Sequence, residues 1–200
     1  MGVLVNHKRV QRLMNELGLK SKVRPKRYKS YKGEVGKIAE NTLNREFTAQ
    51  KPNQKWVTDV TEFKVDNEKV YLSPMIDLFN QEVISYEVRK SVALPLVTDM
   101  LKTATARLKP NEKPVVHSDQ GWQYQNKQYQ NHLKEKGLQQ SMSRKGNCLD
   151  NAVIENFFGI LKSELFYLKK YKSIEQLKKE INQYIIYYNR DRIKSNLNKM

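Results

Sequence analysis

Cysteine and long apolar runs are almost absent from this 200-residue sequence. Cys148 is the single cysteine, so no intramolecular disulfide can form and a secreted, disulfide-stapled scaffold is excluded. No apolar stretch approaches the roughly 18 residues that a membrane span requires, and His7, Lys8 and Arg9 follow the short start directly instead of a signal-peptide core. We therefore expect a cytoplasmic protein that has no membrane partner.

Acidic residues are too few to balance the basic ones. The chain has 37 Lys and Arg against 21 Asp and Glu, which gives a net charge of +16. Residues 1–50 carry 12 Lys and Arg against 4 Glu, so half of the excess lies in a quarter of the chain. Such a charge favours a polyanionic partner such as DNA, and binding to DNA would associate the protein with the nucleoid. The alternative is a soluble basic protein without such a partner.

The first 50 residues predict a short helix followed by a linker. Residues 6–17 place apolar side chains at helical spacing, with Asn6 as the cap and Gly18 as the stop. One helix cannot bury its own apolar stripe, so it must dock on the main domain or belong to a bundle. Residues 21–51 mix basic residues, tyrosines and glycines without periodicity, which predicts a basic linker that can lie along DNA.

The remaining pattern predicts a mixed α/β domain. Three β-rich runs from Lys55 to Ser91 form an antiparallel meander, and two further strands are expected at residues 114–117 and 138–143. Helices are expected at residues 94–108, 126–136, 150–168 and 173–189. Strands that alternate with helices after a meander indicate a five-stranded mixed sheet flanked by helices.

Three carboxylates stand at positions that suit a metal site. Asp59 lies within the strand WVTDVTEF, Asp119 follows the fourth strand in VVHSDQGWQY, and Glu155 lies on the predicted helix of CLDNAVIENFF. Hard cations prefer oxygen ligands, and two such ions can bind the attacking and leaving oxygens of a phosphoryl transfer. Taken singly, each acid is more often part of a structural ion pair.

The three motifs together resemble a known family. WVTDVTEF, HSDQGWQY and SRKGNCLDNAVIENFFGILKSELF are similar to the catalytic core of OrfB-type insertion-sequence transposases, relatives of retroviral integrases with a ribonuclease H-like fold. Between Asp119 and Glu155 lie 35 residues, the spacing that names the D,D(35)E group. The resemblance covers nearly the entire chain, and the three motifs are specific only in combination.

The resemblance implies a function and a division of the chain. Asp59, Asp119 and Glu155 would be the catalytic residues and would hold two Mg²⁺ ions, with Mn²⁺ as a substitute. The reaction would be metal-dependent cleavage and strand transfer at insertion-sequence ends, that is, DNA integration and recombination by multimers on terminal inverted repeats and target DNA. Residues 1–20 would be the remnant of a helix-turn-helix, 21–51 the basic linker, 52–168 the integrase catalytic core and 169–200 the C-terminal helix.

Further residues are candidates for DNA contacts. Lys162 follows Glu155 by nearly two helical turns and projects from the same face, where the family has a basic residue that contacts DNA. An ordinary solvated lysine is the alternative. The remaining candidates are basic residues of the first 50: Lys8, Arg9, Arg12, Arg24, Lys26 and Arg27.

Several motif residues have simpler interpretations. We interpret His117 as a packed histidine at a strand end, and Tyr184, Ile185 and Tyr188 as the buried face of a helix. Ser118, Gln120, Gly121 and Asn151 match the motifs and are expected only to shape the site.

Two other functions stay open at this point. Only the last helix of the expected helix-turn-helix is recognisable in residues 1–20, and this favours a truncated, non-catalytic DNA-binding inhibitor of transposition. A structure-specific nuclease, which would cleave DNA without a joining step, is the third possibility.

Overall fold

The computed structural model describes residues 5–19, 37–144 and 148–194. The strands are β1 (Lys55–Thr58), β2 (Thr61–Val65), β3 (Glu68–Asp77), β4 (Val83–Arg89), β5 (Val115–Ser118) and β6 (Gln139–Met142). The α-helices are α1 (His7–Glu16), α2 (Pro95–Ala106), α3 (Trp122–Gln125), α4 (Lys127–Glu135), α5 (Ala152–Glu164) and α6 (Ile174–Arg190). None of the helices in these ranges is long and apolar enough to cross a membrane.

The six strands form one mixed sheet. β3 pairs antiparallel with β1 and β2 along one edge and with β4 along the other, which confirms the predicted meander. β1 then pairs in parallel with β5, and β5 in parallel with β6. Parallel neighbours place their carboxyl ends at the same edge of the sheet, and this edge is where mixed sheets usually carry their sites.

The predicted count of five strands is wrong by one, because the first strand is interrupted at Asp59. Thr58 pairs with Met75 and Thr61 with Leu72, so the register continues unchanged across the gap. In that register Asp59 stands opposite Pro74.

The interruption has a simple cause in the hydrogen-bond ladder. The Leu78 N–H donates to the Lys55 carbonyl (2.9 Å), and alternate pairs of an antiparallel ladder exchange such bonds. Asp59 and Pro74 form one of these pairs. Pro74 has no N–H to donate, and this accounts for the break.

Helices cover both faces of the sheet. α5 and α6 pack with Val57, Phe63 and other residues of the meander in one apolar cluster, and α2 and α4 pack with Trp56 and Met75 in the other. Tyr184, Ile185 and Tyr188 are buried in the first cluster, which confirms that they form the core face of α6.

Three of the six described α-helices begin after a residue whose side chain caps them. Asn6 caps α1 through a bond from the Lys8 N–H, Asn126 caps α4, and Ser173 caps α6. The helix predicted over residues 150–168 is shorter, because 3₁₀ turns at Cys148–Asn151 and Phe166–Leu168 flank α5. The four-residue α3 was not predicted.

The described part of the predicted basic linker, residues 37–51, lies against the sheet. Leu43 is buried in the cluster that contains α5 and α6. The N–H groups of Thr42 and Leu43 donate to the Ser141 hydroxyl at 3.0 and 3.3 Å. We call residues 37–49 the docking arm, since these contacts attach it to β6.

Candidate active site

Asp59 and Asp119 lie at the ends of adjacent parallel strands. Val57 of β1 pairs with His117 of β5, and each aspartate follows its paired residue by two positions. Parallel neighbours are separated by about 4.8 Å, so the two carboxylates emerge side by side at the carboxyl edge of the sheet. The register thus brings two of the three predicted ligands together.

The alternation of the strand directs Asp59 towards the α5 face. Val57 packs in the cluster of α5 and α6, whereas Val60 packs in the cluster on the opposite face. Side chains two positions apart in a strand share a face, so Asp59 follows Val57 towards α5. His117, which pairs with Val57 in parallel, lies on the same face, and Asp119 follows it by two residues, just beyond the end of β5.

Glu155 lies in the first turn of α5, the helix that covers this face. Its neighbours Ile154, Phe157 and Phe158 are buried in the same cluster as Val57. Across residues 5–19, 37–144 and 148–194, no three Asp, Glu, His or Cys side chains surround a common point where a metal ion could bind. The structure therefore gathers the two aspartates at one edge of the sheet and places Glu155 in the first turn of the helix that packs on this face; among the described residues the three carboxylates do not form a metal-binding cluster.

The loop after β5 holds the carboxylate of Asp119. The Gly121 N–H donates to Asp119 Oδ1 at 2.8 Å, and a Cβ atom on residue 121 would lie only 2.9 Å from that oxygen. Ser118 Oγ donates to the Asp119 carbonyl, and Gln120 Nε2 donates to the Ser143 carbonyl. Burial raises the pKa of Asp119, and the bond from Gly121 opposes that rise. A side chain at position 121 would therefore displace the Asp119 carboxylate.

A buried tyrosine lies close to both aspartates. Burial raises the pKa of Tyr124 well above its ordinary value, and the negative charges of Asp59 and Asp119 raise it further. The Thr58 hydroxyl has the opposite effect and lowers the pKa of Tyr124. Among the described residues, neither hydroxyl makes a hydrogen bond of normal geometry. The sequence alone does not single out Tyr124 as a neighbour of these carboxylates.

His117 is a packed strand-end histidine, as predicted. It is fully buried, with Nδ1 2.9 Å from Ser141 Oγ and Nε2 2.8 Å from the Asp150 carbonyl. A carbonyl only accepts, so Nε2 carries the proton and the Ser141 hydroxyl donates to Nδ1. Burial lowers the pKa of His117, in agreement with this neutral form.

Asp150 is the main residue that sequence reasoning missed. Its side chain is fully buried and accepts hydrogen bonds from Asn41, Arg45 and Arg144. The bonds from Arg144 are the largest cause that holds the pKa of Asp150 far below its usual value. No local signal reveals such a residue, because Asn41 and Arg45 lie more than 100 positions away in the sequence.

The predicted DNA-contacting residues occupy three different settings. Lys162 lies in the last turn of α5 with Nζ 5.2 Å from the centre of the Phe63 ring. Lys8, Arg9 and Arg12 lie on α1, where none of the side chains is buried against the described residues. Arg24, Lys26 and Arg27 lie outside the described residues. Their contacts with DNA stay predictions.

Family models match most of the chain. An integrase core domain matches residues 49–148, a second integrase core domain model matches residues 155–199, and an HTH-like domain matches residues 1–27. A putative transposase, InsK of insertion sequence element IS150 from Escherichia coli K12, is 59% identical over 96% of this chain and 68% of its own length. A transposase-like protein of Haemophilus influenzae is 55% identical over 98% of this chain and 90% of its own length.

Solved structures share the fold at low sequence identity. The HTLV-2 integrase catalytic core domain, solved in complex with magnesium, has a TM-score of 0.55 and 21% identity over 73% of this chain and 92% of that core. A chain of a simian T-cell lymphotropic virus intasome has a TM-score of 0.58 and 20% identity over 88% of this chain and 58% of its own length. This likeness confirms the ribonuclease H-like fold. Together with the family models and the two relatives, it shows that this chain belongs to the OrfB-type insertion-sequence transposases with an integrase core domain.

Proposed function

We propose that this transposase cleaves and joins DNA phosphodiester bonds at insertion-sequence ends, and that Asp59, Asp119 and Glu155 hold the divalent metal ions of the reaction. The single observation that supports the proposal is the parallel register of β1 and β5, in which Val57 pairs with His117, two residues before Asp59 and Asp119 respectively. Glu155 would complete the set from the first turn of α5. As a polynucleotidyl transferase the protein would form no covalent protein intermediate.

The donor set fits Mg²⁺, with Mn²⁺ as a substitute. All three ligands are carboxylates, and hard cations of this kind prefer oxygen. Asp119 is buried with a raised pKa, so a nearby cation would relieve the cost of its charge. When bound, a pair of such ions would activate the attacking oxygen and stabilise the leaving oxygen of an in-line transfer.

The residues around the carboxylates position them. The Gly121 N–H holds Asp119 Oδ1, and the buried contacts of α5 hold the helix of Glu155 against β1. Lys162 lies seven residues beyond Glu155 on α5 and would meet a DNA phosphate beside the site.

DNA is the proposed partner, with terminal inverted repeats and target DNA as the two substrates. The net charge of +16 supports it, and so does the HTH-like match over residues 1–27. We propose that residues 1–20, as the remnant of a helix-turn-helix, contribute phosphate contacts with DNA, that residues 21–51 connect them to the catalytic core at 52–168, and that residues 169–200 are the C-terminal helical part. Assembly of several copies on paired ends is part of the proposal.

The test uses labelled terminal-repeat DNA with Mn²⁺ and scores nicking and strand transfer separately. We expect both products from the unmodified protein and neither from Asp119→Asn. Asp66→Asn is the matched control, because Asp66 is exposed in the β2–β3 turn with a positive φ that asparagine also adopts. DNA binding without either product would favour a non-catalytic DNA-binding protein, and nicking without joining would favour a nuclease.

A further inference from the structure

The helix that carries Glu155 begins without a side-chain cap. Asn151 occupies the cap position of α5 but makes no side-chain capping bond, and its buried Oδ1 has no hydrogen bond among the described residues. Asparagine or serine also occupies the N-cap position of α1, α4 and α6, and in these three helices its side chain makes the capping bond. The side chain of Asn151 therefore does not fix where α5 starts.

The side chain of Asp150, the residue before Asn151, makes hydrogen bonds that hold the chain at the start of α5. Oδ2 accepts from Asn41 Nδ2 (3.0 Å), from the Arg144 N–H (3.0 Å) and from Arg144 Nε (2.9 Å). Oδ1 accepts from Arg45 Nε (2.9 Å) and Arg144 Nη2 (3.1 Å). Five bonds satisfy both oxygens of a carboxylate that has no exposed surface. A buried carboxylate is costly without its charged and hydrogen-bonding partners, so the loss of one of them should be destabilising here.

The backbone of Asp150 connects the same residue to the aspartate strands. Its carbonyl accepts from His117 Nε2 at 2.8 Å, and His117 lies two residues before Asp119 on β5. Glu155 follows Asp150 by five residues. One hydrogen bond therefore joins the strand that leads to Asp119 with the segment that leads into the helix of Glu155.

We propose that Asp150 is a positioning residue of the active site, which holds the start of α5 against β5 and the docking arm so that Glu155 stays in place over Asp59 and Asp119. It touches neither DNA nor metal and acts through Glu155. The inference rests on the proposed function of the three carboxylates. It adds that the docking arm, through Asn41 and Arg45, is part of the support of the catalytic site.

Two variants, one at Asp150 and one at its partner Arg45, test this positioning role. Asp150→Asn keeps the size of the side chain and removes the charge. Because loss of a buried partner can unfold a protein, Arg45→Gln is the milder variant: it removes one guanidinium that is 45% exposed and leaves Arg144 in place. Asp150→Glu, the conservative variant, should restore part of what Asp150→Asn loses.

The control lies at the other end of the same helix. Glu164, the last residue of α5, accepts from Arg192 Nη2 (2.8 Å) and from the Tyr184 hydroxyl (2.8 Å). Its substitution Glu164→Gln breaks an arginine–carboxylate pair on α5 nine residues beyond Glu155, which is about 13 Å along the helix. A role in stability alone would make this control and Arg45→Gln behave alike.

The first readout is metal affinity, taken from the rise of the melting temperature with Mn²⁺ concentration. The second is the kcat and the KM for labelled terminal-repeat DNA, at temperatures where each variant is folded. We expect Asp150→Asn and Arg45→Gln to weaken Mn²⁺ binding and kcat by about tenfold or more, as supporting residues of metal sites do, with KM for DNA nearly unchanged. Glu164→Gln should lose melting temperature and keep the Mn²⁺ affinity.

The outcomes separate the inference from the proposed function. If the unmodified protein gains no melting temperature from Mn²⁺, or gains as much as Asp119→Asn does, the proposed metal site is wrong and the inference fails with it. If the unmodified protein shows the gain and folded Arg45→Gln and Asp150→Asn keep its Mn²⁺ affinity and kcat, the positioning role alone is overturned.

Discussion

At the residue scale, burial governs the ionisation of Asp119. Its pKa is raised by burial, so the folded state favours the protonated carboxyl. The protonated carboxyl therefore stabilises the fold at pH values below the pKa that Asp119 has in the unfolded chain. This contribution is lost as the pH rises through the pKa that Asp119 has in the folded protein. We expect Asp119→Asn to match the unmodified protein in acid and to melt at an equal or higher temperature at neutral pH without metal. Thermal melting at several pH values checks this.

The control for this prediction is Asp66→Asn, which should show no such dependence because Asp66 is exposed. A melting temperature for Asp119→Asn that falls below that of the unmodified protein at neutral pH would contradict the raised pKa. It would mean that the carboxylate has a stabilising partner in the folded state.

Two buried tyrosines give a second prediction, on stability. The hydroxyl of Tyr129 is fully buried without a hydrogen bond to the described residues, and burial alone raises the pKa of Tyr129. An unsatisfied buried donor costs about 1–3 kcal/mol, so Tyr129→Phe should raise the free energy of unfolding by about 1 kcal/mol. Denaturant unfolding measures it.

Tyr124→Phe is the matched comparison, since the two rings lie edge to face 5.3 Å apart. The Tyr124 hydroxyl is near Asp59, Asp119 and Thr58, so its removal also withdraws a dipole from two carboxylates. We expect a smaller gain than for Tyr129→Phe. A clear loss of stability in Tyr129→Phe would show that its hydroxyl is satisfied after all.

Lys162 gives a third prediction, on DNA binding. If its charge meets a phosphate, Lys162→Ala should weaken binding about equally for all sequences and lower the magnitude of the salt slope by about one unit. Lys102→Ala is the control, because Lys102 is an exposed lysine on α2, at the opposite face of the sheet from α5. A slope for Lys162→Ala that equals that of the control would assign Lys162 to packing on Phe63.

At the element scale, the break between β1 and β2 depends on one missing N–H. Pro74→Ala supplies this group opposite the Asp59 carbonyl. The added hydrogen bond is worth about 1 kcal/mol, and the loss of proline rigidity costs about 0.4–1 kcal/mol, so the net stability should hardly change. We expect the new amide to be protected from hydrogen exchange and DNA cleavage to fall, because Asp59 becomes part of a continuous strand.

Pro95→Ala is the control for the strand prediction. Pro95 begins α2, where a missing N–H leaves no bond unmade, so the substitution should show only the loss of rigidity. A rapidly exchanging amide at residue 74 in Pro74→Ala would mean that another cause interrupts the strand.

The elements also show how far the sequence could predict the structure. The ends of α1, α4 and α6 follow caps at Asn6, Asn126 and Ser173, and period-two patterns locate the strands, because both signals are local. The role of Asp150 could not be read, since its partner Asn41 is 109 positions distant. The effect of Pro74 needs the register of two strands, which no single segment contains.

At the scale of the whole molecule, the charge and the catalytic edge belong to different parts of the chain. Residues 1–36 hold 10 Lys and Arg against 2 Glu, whereas residues 37–50 hold 2 of each sign. The docking arm therefore adds no net charge and instead supports Asp150 through Asn41 and Arg45. A deletion that removes the basic segment but keeps the site must end before Lys37.

This division leads to a prediction about DNA discrimination. Phosphate contacts from the net +8 of residues 1–36 give affinity without base information. Sequence readout needs a recognition helix held at a fixed angle in the major groove by partner helices, and α1 buries none of its side chains within the described ranges. We expect terminal-repeat DNA to compete only about tenfold better than random DNA, against about a thousandfold for a complete specific binder.

Competition binding at fixed salt measures this preference, with the unmodified chain and a variant that lacks residues 1–36. The deletion should weaken binding to both competitors alike, because it removes charge and not a reader, and it should leave Mn²⁺ affinity unchanged because Asn41 and Arg45 remain. A preference above about a thousandfold that disappears with the deletion would contradict the prediction. In that case α1 reads bases, and its Lys8, Arg9 and Arg12 are the side chains to substitute next.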